Sequence, residues 1–346
     1  MAGRGRSAHA RPTRQRGFGI GARLGLLLGC WRGLRTLFSS ATVVSRGGRL
    51  YVRCRKEYAE IEPEVRVIVA SGFGFVITGE AIGVCVRRHI EIIITSVTQS
   101  FAAIYAPYAP CLANRACLAV RAHQFAAITD RDKKLRVAKD IVRRKIIVER
   151  HDDPSAFLAG LAACKTVAEV RHIEARSAQE WWYQWRNVKT NFVKGFRPPE
   201  QWRTFQTRYI GRAQGKTGEL PRQFTARFAE TPLQALHNFT VGIAVARITR
   251  VIAAQGLDPC FGFLHDGRKP GRFSLAWDAI EVFRPALATA VFDYAGKQKF
   301  ERADFASQNG VVRLSPWIAQ EGAVIACTAA PLIMMVREVR KIERQL

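Results

Sequence analysis

The chain has 346 residues, 54 basic against 28 acidic, with a formal net charge of +26 and 48% hydrophobic residues. That apolar fraction excludes a largely disordered chain and allows two domains, each with a packed core. The charge points to a polyanion such as nucleic acid. No apolar run approaches the roughly 20 residues that a bilayer crossing needs, so no membrane partner is expected.

Residues 1–56 hold twelve Arg and one Lys and no acid, so half the excess charge lies in this arm. Its Gly/Arg/Ser-rich composition predicts a disordered extension over 1–41, dispensable for chemistry. A nucleic-acid-binding arm, an organelle-targeting leader around LGLLLGCW (24–31) and a misplaced start codon all fit it. From residue 42 the pattern is strand-like. TVVSR and RLYVRC flank Gly47-Gly48, a hairpin signal; RVIVA, FGFVI and EIIIT are strand-forming; ITGEAIGVCVRRH reads as one short helix. A small β-rich domain is therefore expected over 42–109.

After Pro110 the apolar period becomes helical, predicting an all-α domain over 110–346. Residues 130–146 form a basic amphipathic helix. Asp153-Pro154 starts another, Thr166-x-x-Glu169 is a capping box, Thr231-Pro232 opens a long helix that Gly256 closes, and Ser274 is placed to cap one more. The fold class is thus α+β. The eight cysteines include no CxxC pair, which argues against a zinc ribbon or a disulfide framework and suits a reducing cytoplasm.

Residues 189–227 carry nine basic and two acidic residues. Lys189, Lys194, Arg197, Arg203, Arg208 and Arg227 are interleaved with Phe192, Phe196, Trp202, Phe205, Tyr209 and Phe224. Cations for phosphates with rings for unstacked bases suit DNA, whereas a solvated loop whose rings dock on the helices fits equally well. Arg268, Lys269 and Arg272 form a second basic cluster, fit either to hold phosphates or to act as a solubilising turn.

The strongest chemical signal is acid on apolar helix faces. Asp278 and Glu281 are three apart beside Leu275, Ala279 and Phe283; Glu174 falls in a stripe with Val167, Val170, Ser177 and Trp181. Taking a carboxylate out of water is costly unless it is paired or metal-bound. With His265 in the apolar FGFLH they compose a mixed oxygen and nitrogen site suited to Mg²⁺ or Mn²⁺. Glu169-x-x-His172 occurs once where a di-iron site needs two copies, and GFGFVITGE lacks the Lys of a phosphate loop.

GLDPCFGFLHDGRKPGRFSLAWDAIEVFRP (256–285) resembles the C-terminal signature of the CRISPR-associated integrase, the catalytic subunit of the spacer-acquisition complex. IEARSAQEWWYQW, RFAETPLQALHNF and GVVRLSPWIAQEG resemble further segments of that family, and the likeness runs over about 42–346. Ala175, Trp181, Cys260 and Gln234 depart from residues frequent in it, none of them at a ligand position. The resemblance implies Glu174, His265 and Glu281 as metal ligands and Asp278 as an auxiliary acid. It implies insertion of short DNA into a repeat array by 3′-hydroxyl transesterification, on double-stranded and branched DNA (prespacer and repeat). It also implies a homodimer joined by a small ferredoxin-fold adaptation partner. A transposon-borne integrase, a branched-DNA nuclease and a non-catalytic DNA-binding scaffold of the same fold are the alternatives.

Overall fold

The computed structural model describes residues 29–31, 34–38, 41–54, 57–71, 75–95, 102–105, 115–149, 153–205, 229–265, 272–308 and 310–346. Strands β3 (Thr42–Arg46) and β4 (Arg49–Cys54) form the expected hairpin. Gly47 and Gly48 both take positive φ, 56° and 76°, which a two-residue turn between right-twisted strands requires and which glycine adopts without a Cβ clash. β5 (Glu57–Glu60) extends this hairpin on one side and β7 (Val76–Ile77) on the other, giving a four-stranded sheet in the order β5-β4-β3-β7.

A second sheet has the order β1-β2-β6-β8-β9, from Gly29–Trp31, Leu34–Phe38, Val67–Ser71, Glu91–Thr95 and Ala102–Tyr105. β2, β6 and β8 are parallel; helix α1 (Gly79–Arg87), capped by Thr78, lies in the crossover between β6 and β8. Ile68 and Ile92 face a small core with Val43, Leu50, Val52, Ala81, Val84 and Cys85. Val67, Val69 and Ile93 face the opposite way, onto Ile243, Ala246, Ala323 and Ala326 of the helical region. Burial on both faces explains why VIVA and EIII are continuous apolar runs rather than alternating ones.

Two expectations change here. β1 and β2 lie within the stretch expected to be disordered, and β2 pairs with β6 over five residues, from Leu34↔Val67 to Phe38↔Ser71. Five residues of apolar or β-tolerant character sufficed because the partner strand supplies the backbone hydrogen bonds. Strands dominate before residue 105 and helices after residue 115, yet the packing joins the two regions. Glu91 on β8 is buried and paired with Arg250 at 3.4 Å and Arg247 at 3.7 Å, both on the central helix.

That central helix, α6 (Pro232–Ala254), starts at the Thr231 cap with Pro at its first turn and ends before Gly256 at φ 81°. It is buried on nearly all sides, the pattern of a helix at the middle of a core. Around it lie α2 (Arg115–Thr129), α3 (Arg131–Glu149), α4 (Ser155–Ala163), α5 (Val167–Gln184), α7 (Ser274–Ile280), α8 (Arg284–Lys297), α9 (Pro316–Ala329) and α10 (Leu332–Glu343), with the hairpin β10–β11 (Phe305–Gln308, Val311–Leu314). The Thr166–Glu169 capping box is present at the start of α5. Ser274 does not cap α7: Phe273 holds the cap position, Ser274 is buried inside the helix, and the Leu275 N–H donates to the Pro259 carbonyl at 2.9 Å. A backbone acceptor from the preceding loop does the work expected of the side chain.

Among the described residues no single helix is long and apolar enough to cross a membrane. Cys85, Cys164, Cys260 and Cys327 carry free thiols.

Candidate active site

The site is assembled where α3, α5, α7 and the loop before α7 meet. Gly262 allows that loop to reach the helix. A Cβ there would stand 2.7 Å from Asp278 Oδ2 and 2.9 Å from the Ser274 carbonyl carbon, so only glycine admits this approach. Asp278, fully buried, then gathers the loop. Its Oδ2 accepts the N–H of Phe263 at 2.6 Å and of Leu264 at 2.9 Å; its Oδ1 accepts the N–H of His265 at 2.9 Å. The same Oδ1 lies 2.6 Å from His265 Nδ1. A carboxylate oxygen at this position accepts, which favours the tautomer with its proton on Nδ1 and leaves the Nε2 lone pair for a ligand. Asp278 is therefore an orienting acid, and His265, half-buried, is held by both backbone and ring.

Glu281 follows Asp278 by three residues and is also buried. Its Oε2 accepts from Lys145 Nζ at 2.7 Å, and its Oε1 lies 3.1 Å from Arg284. Burial pushes its carboxyl up, but Arg284, Lys145 and His265 outweigh that and bring it down to about 2. Glu174, on the face of α5 that also carries Val170, Ser177 and Trp181, is half-buried and bonded to the same Lys145 Nζ. Two carboxylates from helices a hundred residues apart in sequence thus meet at one cation.

Lys145 is the residue that sequence reading missed. It lies on α3 in register with Ala138, Ile141 and Val142, all fully buried, and is itself buried together with Glu149 one turn later. Glu149 Oε1 stands 3.8 Å from Lys145 Nζ, and its other oxygen accepts from Ser177 Oγ. Burial would push the ammonium down; Glu174, Glu281 and Glu149 hold it well above the usual lysine range. A basic residue inside the apolar stripe of a basic helix was the available signal, masked by the charge of its neighbours. Arg284 and Arg171, which donates to the Leu264 carbonyl, were also unanticipated.

The donor set suits a divalent cation: two carboxylates, one oriented imidazole and a buried acid behind it. The donors do not close into a preformed cage. Among the described residues no group of three or more His, Cys, Asp or Glu side chains is within holding distance of one ion. The Lys145 ammonium sits where Glu174 and Glu281 converge.

Of the expected DNA-contacting residues, Lys189, Lys194, Arg197 and Arg203 are exposed, and Arg272 is half-buried. Arg208, Arg227, Arg268 and Lys269 lie outside the described residues, as do Tyr209 and Phe224. The proposed base-stacking rings are a different matter. Trp202 and Phe205 are core residues packed with Trp182, Phe292, Phe300 and Phe305; Phe192 and Phe196 are half-buried and pack on each other, and Phe192 also packs on Phe300. In this part the aromatics dock the segment on the helices, where a fully buried ring removes ~150–250 Å² from water. Glu169 is engaged in its capping box and His172 is exposed, so that pair forms no metal site.

The family model described as "CRISPR associated protein Cas1" matches residues 36–321. Curated relatives include a "CRISPR-associated endonuclease Cas1" from Leptospira interrogans, 39% identical over 25% of this chain and 34% of its own length. A "CRISPR-associated endonuclease Cas1 2" from Pyrobaculum aerophilum is 28% identical over 56% of this chain and 53% of that relative. The matched segments therefore span about a third and about half of these relatives. Among solved structures, a casposase bound to an integration product superposes with a TM-score of 0.71 at 17% identity, over 90% of this chain and 89% of that one. A Cas1 protein from Thermotoga maritima gives 0.67 at 17%, over 91% and 96%. A Cas6-RT-Cas1–Cas2 complex gives 0.66 at 13%, over 92% and 35%. The β-rich region followed by a helical one is the fold of these proteins, and with the family model matching most of its length the chain belongs to the Cas1 family of CRISPR-associated proteins.

Proposed function

We propose that this chain is a metal-dependent DNA integrase and endonuclease that inserts short DNA into a CRISPR repeat array by 3′-hydroxyl transesterification. The observation that carries the reading is the meeting of Glu174 and Glu281 at one cation beside His265, whose ring is fixed by a buried Asp278. Glu174, His265 and Glu281 would hold the divalent ion, Mg²⁺ or Mn²⁺, with Asp278 presenting the imidazole. The ion, when bound, supplies Lewis-acid stabilisation to the oxygens of a phosphodiester exchange. The chain's part is positioning: rigid helices carry both carboxylates, and Asp278 keeps the Nε2 lone pair available. Exposed Lys189, Lys194, Arg197 and Arg203, with Arg208, Arg227, Arg268, Lys269 and Arg272, would take the phosphates.

The substrates on this reading are duplex prespacer and the branched repeat intermediate. One structural neighbour is a Cas6-RT-Cas1–Cas2 complex; on the present reading this chain works as a homodimer bridged by a small ferredoxin-fold partner, in the cytoplasm. The fold likeness to a casposase supports a second reading, a transposon-borne integrase using the same residues. Neighbouring genes separate the two: a repeat array and partner gene, or terminal inverted repeats and a polymerase.

The test is strand joining by purified protein with a short duplex, a supercoiled repeat plasmid and Mn²⁺. Glu174→Ala and His265→Ala are each expected to abolish joined product while duplex binding persists. Joining retained by both variants would end the assignment.

A further inference from the structure

Lys145 is unused by the chemistry above, yet it holds the most contested position in the molecule. Its ammonium lies against Glu174 and 2.7 Å from Glu281, the two carboxylates that a divalent ion would need. An ammonium and a divalent ion cannot both take those oxygens at contact distance, since unit charges about 4 Å apart already repel by several kcal/mol at a partly screened site. Nor is Lys145 there for packing. Lysine is among the residues least often buried unless paired, and here it is enclosed among three acids.

The third acid gives it somewhere to go. Glu149 lies four residues along the same helix, its Oε1 3.8 Å from the Nζ, with its other oxygen steadied by Ser177. It is buried, faces the same pocket, and is not among the ligands assigned to the metal. The flexible four-carbon stem of lysine can swing its head by that distance while α3 stays in place.

We propose that Lys145 is an internal counter-ion that occupies the metal seat in the metal-free protein and yields it on loading by shifting to Glu149. The proposal rests on the metal reading of Glu174, His265 and Glu281. It assigns two further residues to the site: Lys145, which keeps two mutually repelling carboxylates assembled before metal arrives, and Glu149, which receives the displaced charge. Metal affinity then reflects an exchange of cations instead of simple filling of an empty cage.

Titration of the full chain with Mn²⁺, following the free-ion signal by electron paramagnetic resonance, tests this without reference to activity. Lys145→Met removes the competitor and is expected to tighten Mn²⁺ binding at least tenfold. Glu149→Gln removes the receiving charge and is expected to weaken it severalfold. Unchanged or weaker binding in Lys145→Met overturns the exchange while leaving the metal site standing. Should that variant not fold, Glu149→Gln decides alone, and unchanged or tighter binding there overturns the proposal. Wild-type affinity in Glu174→Ala would instead remove the metal from this site, and both readings with it.

Discussion

Replacing Asp278 by Asn tests the geometry of the site sharply, because it exchanges one oxygen for an NH₂ and changes little shape. The carboxylate accepts four hydrogen bonds, two at each oxygen: Phe263 and Leu264 N–H at Oδ2, His265 N–H and Nδ1 at Oδ1. Asparagine must present an NH₂ at one of these positions. Turned toward Phe263 and Leu264, it confronts two backbone donors. Turned toward His265, it confronts one backbone donor and can donate to Nδ1 only if the ring proton moves to Nε2. The second orientation costs less. It loses one hydrogen bond to a charged acceptor, about 1.5–3 kcal/mol, and leaves a buried N–H unsatisfied for about 1–3 more. A loss of about 2.5–6 kcal/mol corresponds to a fall in Tm of the order of 10 °C for a domain of this size. The ring that survives carries its proton on Nε2, where it cannot ligate a metal. Melting followed by circular dichroism and Mn²⁺ titration together measure both effects. A variant that melts within about 1 °C of wild type and binds Mn²⁺ equally would show that Asp278 does not orient His265.

Gly262→Ala should act at the same point from the other side. Its Cβ meets Asp278 Oδ2 at 2.7 Å and Ser274 backbone at 2.9 Å, and overpacking of about 1–3 kcal/mol should lower Tm and strand joining together. His237 provides a pH test. It is buried against Trp182, and burial, aided by Arg284, lowers its pKa from 6.5 to about 3. The unfolded chain binds this proton below pH 6.5 and the folded chain does not, so stability contributed by neutral His237 is complete above 6.5 and falls as pH drops toward 3. His237→Leu should therefore flatten the decline of Tm between pH 6.5 and 5, since one proton amounts to about 1.4 kcal/mol per pH unit. Parallel curves for variant and wild type would show that His237 can be protonated without unfolding.

Local rules read well wherever the responsible interaction is itself local. The Gly47-Gly48 hairpin, the Thr166–Glu169 box and the Thr231-Pro232 start each depend on groups within four residues, and each is present. Glu174, Asp278 and Glu281 were legible for a related reason. An acid in an apolar stripe breaks the helical pattern, and the break shows without coordinates. Ser274 failed because its competitor, the Pro259 carbonyl, comes from a loop whose path is not local. The strands before residue 41 failed similarly: β2 has its partner about thirty residues away, and composition carries no record of that pairing. Trp202 and Phe205 were readable as stacking platforms until the core of Trp182, Phe292 and Phe305 was seen to enclose them.

The residues alone determined the order of β-rich and helical regions, the helix starts, and which acids lie on buried faces, because periodicity and capping act over one or two turns. The tertiary structure decided what those acids meet. Lys145 reads as one more cation on a basic helix, and only the packing of α3 against α5 and α7 turns it inward among Glu149, Glu174 and Glu281. Electrostatic partners are set by distance in space, and a helix that is amphipathic in sequence states which face is buried but not which charges await it there.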